Sequence, residues 1–135
     1  MTDPPFVLVD TNVILDVFED DPQWAEWSQE QLSHWVGRIG VNPLIFAELC
    51  YAAGELEEVE SVLASFGLAF HELPREALFL ASQAFKRYRR RGGKKTAPLA
   101  DFFIGAHATV LGIPLLTRDL RRYRTYFPEV QLIAP

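Results

Sequence analysis

The run Phe6-Val7-Leu8-Val9, closed by Asp10, constrains this chain more than any other stretch. Four consecutive apolar residues, mostly β-favouring, suit a strand covered on both faces, as in a parallel sheet. Asp10 then puts a carboxylate at the carboxyl end of that strand, the edge of an open α/β sheet where ligands bind. Thr11 and Asn12 can each cap a following helix, whose apolar positions are Val13, Ile14, Val17 and Phe18. Taken alone, Asp10 could be a turn residue feeding that cap. It gains chemical meaning only if other acids converge on it.

The rest of the chain alternates apolar segments with breaks, and its 135 residues suit one domain over 1–135. After the break Glu19-Asp20-Asp21-Pro22, Trp24, Trp27, Gln31, Leu32 and Trp35 form a helical stripe, read as packing, with a partner or dimer groove as the other reading. Ile39-Gly40-Val41 reads as a second strand. Asn42-Pro43 opens a helix to about Ala53, with Gly54 as its stop. A helix over Leu56 to Phe66 begins with a solvated acid run, Glu55, Glu57, Glu58 and Glu60. Leu68 to His71 can be a third strand. Residues 75–91 form a long helix with Ala77, Leu78, Ala81, Ala84, Phe85 and Tyr88 inward, and Leu99 to Leu111 a core helix. Leu115-Leu116 is a buried strand and Gln131-Leu132-Ile133 an outer one.

Three further acids then stand out. Glu48 lies between Leu44 and Ile45 one turn before it and Tyr51 and Ala52 one turn after it, so its face of the helix is apolar. A carboxylate there is costly unless paired or bound to a metal. Asp101 is the only formal charge from Thr96 to Thr117 and sits in a helix's first turn, where the dipole favours an acid anyway. Asp119 follows Leu115-Leu116 as Asp10 follows its own strand, and the two strands can be neighbours in one parallel sheet. Gathered together, Asp10, Glu48, Asp101 and Asp119 would repel one another and take up protons. A hard divalent cation is the simplest reason to gather them. All-oxygen ligation selects Mg²⁺ or Mn²⁺, and no Cys/His set has zinc spacing. One or two such ions could hold a phosphodiester, lower the pKa of a bound water and stabilise the leaving oxygen. His34 and His71 read as structural, His107 as packed, and Cys50 as a small buried apolar residue.

The net charge of −5 hides a division. Residues 1–80 hold fifteen acids and two bases, whereas 81–135 hold three acids and eleven bases. Seven of the thirteen bases fall in residues 86–95, more than a helix dipole needs. Arg87, Arg90, Arg91, Lys94 and Lys95, with Arg118 beside Thr117, are candidates for an RNA backbone, though an acidic partner protein would suit the basic stretch as well. The apolar run after Thr96 is no membrane span, since Pro98, Gly105 and Gly112-Ile113-Pro114 break it and Asp101 lies within it. With no signal-like opening and a single cysteine, a cytoplasmic protein is expected.

Four blocks carry a family likeness: Val9-Asp10-Thr11-Asn12-Val13, Asn42-Pro43-Leu44-Ile45-Phe46-Ala47-Glu48-Leu49, Ala100-Asp101-Phe102-Phe103-Ile104-Gly105-Ala106-His107-Ala108 and Leu116-Thr117-Arg118-Asp119. In order and spacing they resemble the signature blocks of PIN-domain ribonucleases, most closely the VapC-type toxins of toxin–antitoxin pairs. The resemblance implies an Mg²⁺- or Mn²⁺-dependent endoribonuclease with Asp10, Glu48, Asp101 and Asp119 as its acidic, metal-holding site. Asn12 and Thr117 match the family's supporting polar positions. It further implies a three-layer α/β/α sandwich around a central parallel sheet, a homodimer, and a cognate antitoxin that inserts a segment into the site. Phe102-Phe103 and His107 stand where many members carry smaller or aliphatic residues. Two other readings compete. A haloacid-dehalogenase-type phosphatase also starts from an Asp after its first strand, but needs an acid where Asn12 stands. A non-catalytic RNA- or protein-binding module could keep the fold without the chemistry.

Overall fold

The computed structural model describes residues 5–94 and 99–135, so Lys95 lies outside the described residues. At its centre is β1 (Val7–Val9), three residues without solvent exposure, as a strand buried on both faces requires. It pairs in parallel with β2 (Ile39–Val41), Val7 facing Ile39 and Leu8 facing Gly40. On its other edge it pairs in parallel with β4 (Leu115–Leu116), Leu8 facing Leu115 and Val9 facing Leu116. β3 (Leu68–Phe70) lies beyond β2, and β5 (Leu132–Ile133) beyond β4. The order is β3-β2-β1-β4-β5, all parallel.

That order places the helices. From β1 the chain steps outward to β2 and β3 through α1 (Thr11–Phe18), α2 (Ala25–His34), α3 (Pro43–Ala53) and α4 (Leu56–Phe66). It then crosses back to β4 through α5 (Arg75–Arg90) and α6 (Leu99–Leu111), and reaches β5 through α7 (Arg121–Tyr126). Parallel crossovers are right-handed, so reversing direction puts α5, α6 and α7 on the face opposite α1 to α4. The result is the α/β/α sandwich with a central parallel sheet. The acidic portion of the chain thus covers one face, and the basic portion the other.

Local chemistry explains most boundaries. Asn42 caps α3, its Oδ1 accepting from the Leu44 and Ile45 amides at 3.0 Å each, with Pro43 in the first turn. Gly54 ends the helix at φ 87°, a conformation that costs a residue with a Cβ. Asp10, rather than Thr11 or Asn12, is the N-cap of α1. The tryptophans are half-buried: Trp27 and Trp35 pack against the core, which supports packing for the stripe. On α5, Ala77, Ala81 and Ala84 are buried, but Leu78 is exposed, because the inner face follows the alanines, close enough to bring α5 against α6. α7 is an element the polar run Arg-Arg-Tyr-Arg-Thr-Tyr concealed. Among the described residues no helix is long and apolar enough to cross a membrane.

Gly105 shows how tightly α6 is seated. A Cβ there would clash with the edge of the Phe127 ring, itself buried after α7. Gly105→Ala is therefore expected to lower stability by about 2 kcal/mol, the usual size of an overpacking penalty, read as a lower urea midpoint at unchanged slope. An unchanged midpoint would mean that Phe127 is free to move.

Candidate active site

β1 and β4 are adjacent, and the chain leaves them toward opposite sides of the sheet, which makes their carboxyl ends a topological switch point. Asp10 and Thr117 follow these two strands directly and face each other there. The Thr117 hydroxyl donates to Asp10 Oδ2 at 2.8 Å. Tyr123 of α7 donates its hydroxyl to the same oxygen at 3.0 Å, and Asn12 its amide at 3.3 Å. Oδ1 accepts from the Thr11 amide at 2.8 Å. Asp10 is 4% exposed, Thr117 and Tyr123 not at all. A buried carboxyl is thus fixed by four donors.

Its charge is nevertheless strained. Burial first, then the nearby Asp101 charge, push the Asp10 carboxyl up to about 7, against the hydrogen bonds from Thr117, Tyr123 and Thr11. Burial also raises Asp101, with Glu48 and Asp119 adding to the rise and Arg122 opposing it. The Tyr123 phenol is pushed well above its ordinary value by burial and by Asp10, Asp101 and Asp119, so it remains a donor. These mutual influences place the charges of Asp10, Glu48, Asp101 and Asp119 in one neighbourhood.

Besides Asp10, two of the acids have protein partners. Arg122 Nη1 meets Asp101 Oδ2 at 2.7 Å, and the Thr11 hydroxyl donates to Glu48 Oε1 at 2.6 Å. Glu48 is half-buried at the rim, and Tyr51 beyond it is 93% exposed. The apolar face expected around Glu48 is therefore corrected: the buried side of α3 runs through Ile45 and Leu49. Asp119 donates its amide to the Thr117 hydroxyl at 3.0 Å, so Thr117 bridges both strand-end acids. Asn12, besides reaching Asp10, accepts from the Arg118 amide at 3.2 Å. It is a clamp between the two loops, in a position where phosphatase chemistry would need an acid.

Arg118 itself is not an open cation. Its Nε and Nη2 grip Asp16 at 2.7 and 2.9 Å, and its guanidinium lies 5.1 Å from the centroid of the Trp24 ring. Asp16 is 3% exposed and also accepts from the Ser28 hydroxyl at 2.6 Å. Arg118 is thereby corrected from an RNA-backbone candidate to a structural ion pair joining α1, α2 and the β4 loop. Arg118→Ala leaves a buried carboxylate with one donor. The expected cost is about 2 kcal/mol, below the full penalty for a broken buried pair because Ser28 remains and Arg118 is partly solvated. A thermal melt of the variant checks this, and an unaltered transition would show that solvent replaces the guanidinium.

The remaining basic candidates Arg87, Arg90 and Arg91 are exposed at the end of α5, and Lys94 is exposed after it. Arg91 lies 5.7 Å from the centroid of the Tyr126 ring. His107, fully buried, exchanges a hydrogen bond with Asn42 at 3.1 Å and is pushed down to about 4 by burial, so it ties α6 to the start of α3 as a neutral ring.

The donors that converge are all oxygen, a set that suits Mg²⁺ or Mn²⁺ in kind. Among the described residues no group of three His, Cys, Asp or Glu stands ready as a ligand set. One oxygen of Asp101 and one of Glu48 are taken by Arg122 and Thr11.

Fold and site together define a doubly wound α/β protein with acids gathered near its switch point. The chain belongs to the PIN domain family, which matches residues 7–128. No curated protein gives a significant match. Solved structures of similar fold include a chain of VapBC2 from Rickettsia felis bound to a promoter DNA fragment (TM-score 0.70, 18% identity, covering 96% of this chain and 98% of that one). A chain of DNA-bound VapBC from Salmonella typhimurium has a TM-score of 0.69 at 20% identity, covering 96% and 97%. One of FitAcB from Neisseria gonorrhoeae has a TM-score of 0.65 at 20% identity, covering 96% and 98%.

Proposed function

We propose that residues 1–135 form one nuclease domain, the toxin of a cytoplasmic toxin–antitoxin pair, and that it cuts RNA internally with the help of Mg²⁺ or Mn²⁺. The observation that carries this reading is Asp10, buried, held by four donors at the switch point, and pushed up to about 7 by burial and its neighbour Asp101. A carboxyl so placed binds a cation better than it bears a lone charge. Asp10, Glu48, Asp101 and Asp119 would hold the ion, which supplies a Lewis acid for the phosphodiester and a water of lowered pKa. The protein's own part is positioning. Thr117, Tyr123 and Asn12 keep Asp10 Oδ2 from rotating, and Thr117 fixes the Asp119 loop through its amide. Arg122 pairs with Asp101 and, if Asp101 held the ion instead, would be available to a phosphate.

An antitoxin partner is supported by the similar folds, which occur in toxin–antitoxin complexes such as one from Klebsiella pneumoniae. It is also supported by the groove beside Glu48, lined by Leu44, Ala47, Tyr51 and Ala52, where apolar surface abuts an acid. A homodimer belongs to the same reading. The test is to incubate antitoxin-free protein with structured RNAs in Mg²⁺, Mn²⁺ or EDTA. Internal cuts that need the cation support the reading. RNA bound but uncut under every condition would favour a binding module that keeps the fold.

A further inference from the structure

The acid cluster opens on one side into a cleft of about 550 Å³ whose walls include Tyr88, Arg91, Asp119, Arg121, Arg122 and Tyr126. Its size is that of ligand clefts generally, roughly 300–1,000 Å³. Asp119 places one end of it at the candidate site, and Arg122, bonded to Asp101, forms part of the wall. Away from that end the character changes from acidic to basic and aromatic. Arg91 lies over the Tyr126 ring, and Arg122 lies 5.8 Å from the centroid of the Tyr88 ring. Tyr88 and Tyr126 meet edge to face, with centroids 6.0 Å apart. Among the described residues no carboxylate pairs with Arg91 or Arg121, and both are exposed.

From this we infer that the cleft is the seat of a single-stranded RNA segment running away from the cut phosphate. The inference rests on the nuclease reading and adds the path of the strand. Arg91 and Arg121 meet successive phosphates, and one base stacks on the platform made by Tyr126 and the Arg91 guanidinium. The chemistry requires a single strand, because a base can reach a tyrosine or arginine plane only when it is splayed from its partner. A duplex presents phosphates to the arginines but no face to the ring. The asymmetry also sets direction of approach: an RNA phosphate is drawn by the arginines toward acids that would otherwise repel it.

The test is binding in EDTA, where cutting is suppressed, of a fluorescein-labelled oligouridine of about ten nucleotides and of a perfect RNA duplex of the same length. Wild type is expected to prefer the single strand. Arg91→Ala, Arg121→Ala and Tyr126→Leu are each expected to weaken it about fivefold or more, the two arginine variants also lowering the salt slope by about one. Arg75→Ala, exposed at the opposite end of α5 and outside the cleft, should change neither by more than about twofold. Tyr126→Trp, which keeps a ring, should bind as wild type and so separates lost stacking from lost packing. Equal affinity for duplex and strand, or indifference to the two arginine variants, overturns the cleft. Failure of the nuclease reading looks different: the strand is bound in the cleft as predicted, yet neither cation supports cutting.

Discussion

Asp101→Asn is expected to remove RNA cutting, by at least about a hundredfold in kcat/KM, while leaving the fold intact. Losing a mere supporting contact at a metal site costs tenfold to about a hundredfold, and Asp101 is placed among the acids themselves. Its carboxylate is part of the shared electrostatics of Asp10, Glu48 and Asp119, and its partner Arg122 stands between the cluster and the basic cleft. The amide keeps the shape of the side chain and a hydrogen-bond acceptor for Arg122, so the variant's melting curve should stay cooperative. The decisive comparison is cleavage of one RNA by both proteins at equal occupancy by substrate. A variant that binds and cuts like wild type would take Asp101 out of the chemistry.

The second large effect is on stability against pH in the absence of divalent cations. Asp10 holds its proton up to about pH 7 in the folded state, against an ordinary 3.8. The folded chain therefore binds that proton more tightly than the unfolded chain. The associated stabilisation is complete below about pH 4 and is lost as pH rises through about 7, a difference on the order of 4 kcal/mol. Asp101, raised by its burial, acts in the same direction. The metal-free protein should thus melt at a lower temperature at about pH 8 than at about pH 5. Mn²⁺ at the higher pH should recover much of the loss by binding the charged form in the folded state alone. Asp10→Asn has no proton to lose, so its melting temperature should change less between the two values and exceed that of wild type at the higher one. Parallel falls in both proteins would place the pH sensitivity elsewhere.

Much of the fold was legible because the apolar runs are short and cleanly bounded. Val7 to Val9, Ile39 to Val41 and Leu115-Leu116 are strands as expected, and Asn42-Pro43 and Gly54 delimit α3 as their cap chemistry requires. Acids set among apolar residues drew attention to Asp10, Glu48 and Asp101 for the same reason. What stayed hidden involves contacts between polar residues far apart in the chain. Tyr123 sits inside an arginine-rich stretch with no apolar period, yet it is a large, fully buried side chain that donates to Asp10. Arg122 looks like one basic residue among several until Asp101 is placed beside it. Asp16, between Leu15 and Val17, carried a signal that could have been used: an acid in an apolar helix needs a partner, and Arg118 is that partner. Its pairing is also why Arg118 was misread, since a guanidinium next to Thr117 suits a phosphate equally well on paper. Lys94 remains an exposed base whose use depends on what approaches it.

Two of the four hydrogen bonds that hold Asp10 come from far along the chain: Thr117 is 107 positions away and Tyr123 113. Such closure comes late, because a chain must bring its ends together before distant partners can reward it. During synthesis, Asp10, Glu48 and the first three strands emerge well before β4 and α7 exist. Until those segments arrive, Asp119 and two of the donors that orient Asp10, Thr117 and Tyr123, are missing. Assembly of the site around Asp10 therefore waits on the elements that follow α6, however early the first strands pair.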